Sequence, residues 1–282
     1  MFGPNCIARH YAVKLDDAAA WNSLGITDNH EISRPGVPEL KLPILSLLTR
    51  LGASLARIQT LQESRMPAVH ETASYPIAEE RINVVSHAMG LLFSVAALVL
   101  LVLRANGAMQ TVSVAVFASS MIALYAASTI YHSADSAVFR AWMRTVDHAM
   151  IYVLIAGTYT PFTLVVLQGA LGWSLFGLTW AMAATGIVLK LFHTGRYDRL
   201  STAMYVFMGW IIIFAIKPLI ASLSAEGLIW LFAGGIAYTV GALFYSLRAV
   251  PYGHAIFHVF VIAGSTCHFV SVYFFVLVPI SS

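Results

Sequence analysis

Beyond residue 82 the chain is built of long apolar stretches separated by short polar breaks. Seven stretches stand out: Asn83 to Leu103, Thr111 to Ser133, Met143 to Leu167, Leu171 to Phe192, Thr202 to Leu223, Leu228 to Leu247 and His254 to Pro279. Each is about the ~20 residues that a helix needs to cross ~30 Å of hydrocarbon. They are apolar on every face and lack the period-two alternation of barrel strands, and a span in lipid must satisfy its own backbone hydrogen bonds. The pattern predicts an all-α polytopic membrane protein, a bundle of seven transmembrane helices. The breaks carry turn residues, among them Asn106-Gly107, Gln168-Gly169 and Pro251-Tyr252-Gly253. Pro161 closes the run Gly157-Thr158-Tyr159-Thr160-Pro161 inside the third stretch. It removes a backbone donor and predicts a packing kink near the outer third of that helix.

The first 81 residues differ in kind, with eight of the sixteen Lys and Arg and nine of the thirteen Asp and Glu. Residues 1–78 read as an N-terminal cytoplasmic tail and 79–282 as the membrane domain. Within the tail, Ile44, Leu47, Leu48, Leu51, Leu55 and Ile58 recur at helical spacing. They predict either an amphipathic helix lying on the anionic leaflet or a transient helix in a disordered tail. Translation from Met66 is a further alternative, which would leave most of the tail unmade.

Basic residues orient the bundle. With the N-terminus inside, Arg81, Arg140, Arg144, Lys190, Arg196, Arg199 and Arg248 fall on the cytoplasmic side, and only Arg104 and Lys217 fall outside. This bias predicts N-in, C-out in the inner (plasma) membrane. Composition agrees with the membrane class, at 59% hydrophobic and 10% charged. A net charge of +3 gives nucleic acid nothing to hold, so membrane lipids are the expected partners. Cys6 and Cys267 make no disulfide framework. The N-terminus lacks the basic-then-apolar pattern of a cleaved signal peptide.

Ionisable groups inside spans are costly and mark function. His132 closes the second stretch, Asp147 opens the third, and His254 and His258 open the seventh. The topology brings all four to one depth near the inner leaflet. His254 and His258 are four residues apart and stack on one helical face; Ser128 and His132 have the same spacing. Three neutral imidazoles suit a zinc ion, with a fourth position left for water. Asp147 would bond that water or complete the coordination. The plainer alternative is interfacial histidines bonded to headgroups or backbone, and for Ser128 a hydroxyl bonded to the carbonyl one turn back. His268 lies ten residues past His258, ~15 Å along the helix, too far to share the ion. It is expected to pair with a polar group of a neighbouring span. His87 is read as a packed ring ahead of a group bonded to the site, and His193 as interfacial. His148 is rotated ~100° from Asp147 and cannot duplicate its role.

Four segments carry a resemblance: EERINVVSH at 79–87, STIYHS at 128–133, DHAMIYVLIAGTYTPF at 147–162 and HAIFHVF at 254–260. In this order they resemble the hemolysin III family, the bacterial branch of the progestin and adipoQ receptor group. The wider superfamily includes alkaline ceramidases. The resemblance runs from about Tyr75 to the C-terminus and leaves the tail without a counterpart. It implies seven helices with the N-terminus inside, and zinc held by three histidines, here His132, His254 and His258. It also implies that Asp147 is placed to hold the zinc-bound water, and it matches Ser128, Glu80 and Asn83 to family positions. Ser86-His87-Ala88 departs slightly from the usual Thr-His-Gly.

The reading that follows is a zinc-dependent lipid amide or ester hydrolase of ceramidase type. Asp147 would orient or deprotonate water, and Ser128 would support the developing oxyanion. The alternative is a receptor-like or regulatory membrane protein with structural zinc. A cytolytic pore former fits less well, because no span shows an amphipathic face with a charged lumen. A proton-coupled transporter also fits less well, since the acids cluster at one face.

Overall fold

The computed structural model describes residues 75–277, leaving out 194–197 and 248 together with the side chains of 193, 198 and 199. The predicted amphipathic segment Ile44 to Ile58, Met66 and Cys6 lie outside the described residues. So do the side chains of His193, Arg196, Arg199 and Arg248.

Seven helices are long and apolar enough to cross a membrane: Ile77–Arg104, Gly107–Ser133, Ala137–Leu167, Gly169–Phe192, Leu200–Ser222, Ala225–Ser246 and Gly253–Val276. They are called here the first to the seventh span. No strand occurs among the described residues. The first span starts at Ile77, before the predicted Asn83, because its opening turns are polar but face inward: Glu79 and Asn83 are buried. The third starts at Ala137, before the predicted Met143, where Ser136 caps the helix by accepting from Phe139 N at 3.5 Å.

The first span packs on the second, the second on the third, and the seventh on both the sixth and the first. The fifth lies against the third and sixth, and the fourth packs chiefly on the third. Polarity is arranged as lipid requires. Leu103, Phe192 and Phe214 turn outward, whereas Asn83, Ser94, Ser113, Ser120 and Thr179 are buried between helices. The second and third spans approach closely at Gly157. A Cβ there would collide with the Cβ and Oγ of Ser120.

Pro161 does not break the third span. The chain continues through a wider π-helical segment, Phe162–Leu167, which absorbs the missing donor. The fifth span does change character, passing through a 3-10 segment at Ile211–Ala215. The Tyr159 hydroxyl enters the ladder at that point. It receives Ile212 N at 3.0 Å and lies 3.0 Å from Met208 O and 2.8 Å from Gly209 O. A side chain inserted into the helix thus replaces the backbone bonds that the bend removes.

The contact at Gly157 gives a direct test. Gly157→Val should overfill the interface and lower stability by about 1–3 kcal/mol. The thermal midpoint in detergent should fall accordingly, and adding Ser120→Gly should restore most of it. An unchanged midpoint in Gly157→Val would mean that the two spans are not in contact there.

Candidate metal centre

One end of the bundle gathers the start of the first span, the end of the second, and the starts of the third and seventh. His132 is buried at the end of the second span. Its Nδ1 donates to Glu80 Oε2 of the first span at 2.7 Å. Glu80 also receives Arg140 from the third span, and the Arg140 guanidinium lies 5.1 Å over the Tyr131 ring. With its Nδ1 proton held by Glu80, His132 carries its lone pair on Nε2.

That nitrogen faces Nε2 of His254, 3.1 Å away. Two such nitrogens at this distance share either a proton or a cation. Ligands ~2.05 Å from a tetrahedral ion lie ~3.3 Å from each other, so the spacing also suits a pair of metal ligands. His258 stands one turn further along the seventh span. The candidate ligand atoms of His132, His254 and His258 all lie within 4.8 Å of one another, and all three residues are buried. The Nδ1 atoms of His254 and His258 have no hydrogen-bond partner among the described residues. The three predicted ligands are therefore brought together in a geometry that can hold a metal ion.

Asp147 is buried, within electrostatic reach of His132 and beside Ser128. The Ser128 hydroxyl is fully buried beside the Asp147 carboxyl and does not make the bond to the carbonyl one turn back. His87 stacks on His258 with ring centroids 3.5 Å apart and planes 9° from parallel, so it packs against the triad without joining it. His148 is turned to Tyr245, whose hydroxyl lies 3.4 Å from its Nε2. His268 sits deep in the bundle against the Tyr238 ring, and its Nδ1 has no hydrogen-bond partner among the described residues.

Two further groups complete the site. Tyr75, just before the first span, stacks on His254 at 4.7 Å and 25°. Burial pushes its phenol up to about 12, so it covers the site as a neutral ring. Glu80 is the group that orients His132, a role that the pattern of spans did not reveal. The available signal was a carboxylate one turn from Asn83 on a face that had to be inside.

From this end an elongated cavity runs into the bundle. Its empty space is about 1350 Å³, counting the part open at its mouth. Asp147, His87, His254 and His258 line one end, and Phe162, Leu231 and His268 line the other. His132 and Ser128 are not part of its lining. The distance from His254 to His268, fourteen residues along one helix, is ~21 Å.

The chain matches a family model described as "Haemolysin-III related" over residues 75–269. It is 45% identical over 212 residues to the Hemolysin-3 homolog of Bacillus subtilis (strain 168), covering 74% of this chain and 100% of that protein. To the Hemolysin-3 of Bacillus cereus it is 43% identical over 204 residues, covering 71% and 93%. A more distant relative is the Monocyte to macrophage differentiation factor of Homo sapiens, 25% identical over 228 residues and covering 77% and 92%.

The geometry separates the ligands from the group that aims them. His258→Ala should drop bound metal, measured per purified protein, well below one. The thermal midpoint should fall with it, because a bound ion stabilises the folded state. Glu80→Gln should keep the fold but weaken metal affinity about 10–100-fold in a chelator competition. Wild-type affinity in Glu80→Gln would show that the carboxylate has no part in aiming His132.

Proposed function

The chain belongs to the haemolysin III family of multi-pass membrane proteins, and from that premise we propose that it is a zinc-dependent hydrolase of a lipid amide or ester. The observation that carries this reading is the shared wall: Asp147, His254 and His258 line one end of a long apolar cavity. Half of a ~30 Å hydrocarbon core is ~15 Å, so a cavity ~21 Å long suits one acyl chain with its carbonyl at the triad. A tri-imidazole donor set with a carboxylate alongside suits zinc better than the harder cations, which take oxygen ligands.

His132, His254 and His258 would hold the ion. A zinc ion bound there would supply Lewis acidity at the scissile carbonyl and towards water. Asp147 takes the proton as water oxygen adds to the carbonyl carbon, and returns it to the departing amine or alkoxide as the C–N or C–O bond breaks. The Ser128 hydroxyl, unspent on the helix backbone and buried beside Asp147 behind the cavity wall, would position that carboxyl and not touch the substrate itself. Glu80 and Arg140 hold His132 in register, and the Tyr75 ring stacks on His254. The asymmetry of basic residues, Arg140 and Arg144 against Arg104 and Lys217, supports an orientation with this end at the cytoplasmic leaflet of the inner membrane.

The decisive variant is Asp147→Asn, which keeps size and hydrogen bonding but cannot take a proton. It should retain near-normal zinc and thermal stability while hydrolysis of a ceramide-like or lysolipid substrate falls at least ~100-fold. Loss of zinc as complete as in His258→Ala would make Asp147 a ligand. Wild type that holds zinc yet turns over no such lipid would make the ion a structural tie between the second and seventh spans, and the protein receptor-like or regulatory.

Orientation has its own test. A reporter fused after Ser282 should read periplasmic, and one inserted near Arg196 cytoplasmic. The opposite readout would move the site to the outer leaflet.

A further inference from the structure

The far end of the cavity holds a polar group that the proposed chemistry does not use. His268 is buried, its ring lines the cavity, and its Nδ1 has no hydrogen-bond partner among the described residues. Its surroundings divide sharply. Phe162 stands edge-on to its ring with centroids 6.5 Å apart, and the cavity that it lines is mostly apolar, with Leu154, Ile212, Leu231 and Val261 among its walls. The neighbouring polar groups are already matched to one another. Tyr125 OH donates to Ser265 Oγ at 2.8 Å, and Ser265 Oγ lies 2.9 Å from Tyr238 OH. Tyr238 offers His268 only its ring, with centroids 5.3 Å apart.

An imidazole in such a place is expensive, because an unsatisfied buried polar atom loses its water without replacement. Yet the sixth span makes room for it. A Cβ on Gly234 would lie 2.6 Å from His268 Nε2, so the ring occupies space that only glycine leaves open. A ring accommodated in this way and left short of a partner, at the wall of a ligand-sized cavity, lacks one component. The component is a hydrogen-bonding atom of the occupant.

We infer that His268 reads an oxygen function, a hydroxyl in the simplest case, carried along the acyl chain that fills the cavity. The imidazole can donate or accept according to its tautomer, so it can serve a hydroxyl in either sense. Its place on the chain follows from the seventh span. His258 and His268 are ~15 Å apart along the helix. An extended chain advances ~1.2 Å per bond, from three bonds in ~3.5 Å. The oxygen therefore sits about twelve bonds from the group held at the triad. This inference rests on the lipid reading above and adds the class of lipid, one with a mid-chain oxygen.

The test is displacement of labelled octadecanoate from the purified, zinc-loaded full chain by three competitors: octadecanoate, 12-hydroxyoctadecanoate and 2-hydroxyoctadecanoate. The 12-hydroxy acid should bind about fivefold more tightly than octadecanoate, as one added hydrogen bond in an apolar site allows. In His268→Phe the ratio of the 12-hydroxy to the octadecanoate affinity should fall to about one, while bound zinc and any preference for the 2-hydroxy acid stay as in wild type. His268→Gln, which keeps a donor and an acceptor, should recover part of the 12-hydroxy preference. The thermal midpoint of His268→Phe should be equal or higher, since an unpartnered polar ring is exchanged for an apolar one; a marked fall would assign His268 a structural role and overturn the inference. Equal binding of octadecanoate and its 12-hydroxy form by wild type overturns the inference and leaves the lipid reading standing. A preference that survives His268→Phe overturns it as well. If no fatty acid displaces or binds, the lipid reading falls and this inference falls with it.

Discussion

A polar group buried between helices that stand in lipid can find partners only on those helices, and the architecture at the metal centre follows from that restriction. Three imidazoles, two carboxylates and a guanidinium meet where four spans begin or end. Each is tolerable only because another is in reach. Glu80 takes the Nδ1 proton of His132 and the charge of Arg140, which leaves His132 Nε2 committed to the centre of the cluster. The same need extends the first span backwards. Glu79, Glu80 and Asn83 would be poor membrane residues facing lipid, but on the inner face of a helix that starts at Ile77 they become part of the site. The first span is thus as much a scaffold for the second as a membrane crossing.

This explains what the sequence made legible and what it hid. Seven spans could be read because lipid-facing surface must be apolar along the whole length of a helix, and the breaks between them are short and polar. The triad could be read because His254 and His258 share a face by spacing, and His132 shares their depth by topology. Hydropathy started the first span at Asn83, although inward-facing polar residues carry the helix back to Ile77, and the third at Met143, although the Ser136 cap begins it at Ala137. Local rules also failed where a distant side chain changes the outcome. Pro161 suggested a kink, but the compensating π-helical segment follows from the wider fold. The bend at Ile211–Ala215 depends on Tyr159, about fifty positions earlier in the chain. Ser128 departs from its common habit of bonding the preceding turn, and only the arrangement around Asp147 shows it.

The seventh span connects the two ends of the cavity. His254 and His258 on its first turns belong to the histidine cluster, Val261 lies midway, and His268 marks the far end, all on one unbroken α-helix from Gly253 to Ser271. An α-helix rises by a fixed ~1.5 Å per residue, so a single rigid element sets the separation between the place where a bond would be cut and the place where a chain would be read. Neither end can drift relative to the other without breaking the helix. The wider π-helical turn that follows, at Val272–Val276, comes only after both polar stations have been placed. Loops would be a poor ruler for a flexible acyl chain, and the fold does not use them for this purpose. On the proposed reading, length selection and metal placement would be one structural property, written into the spacing of three histidines on one helix.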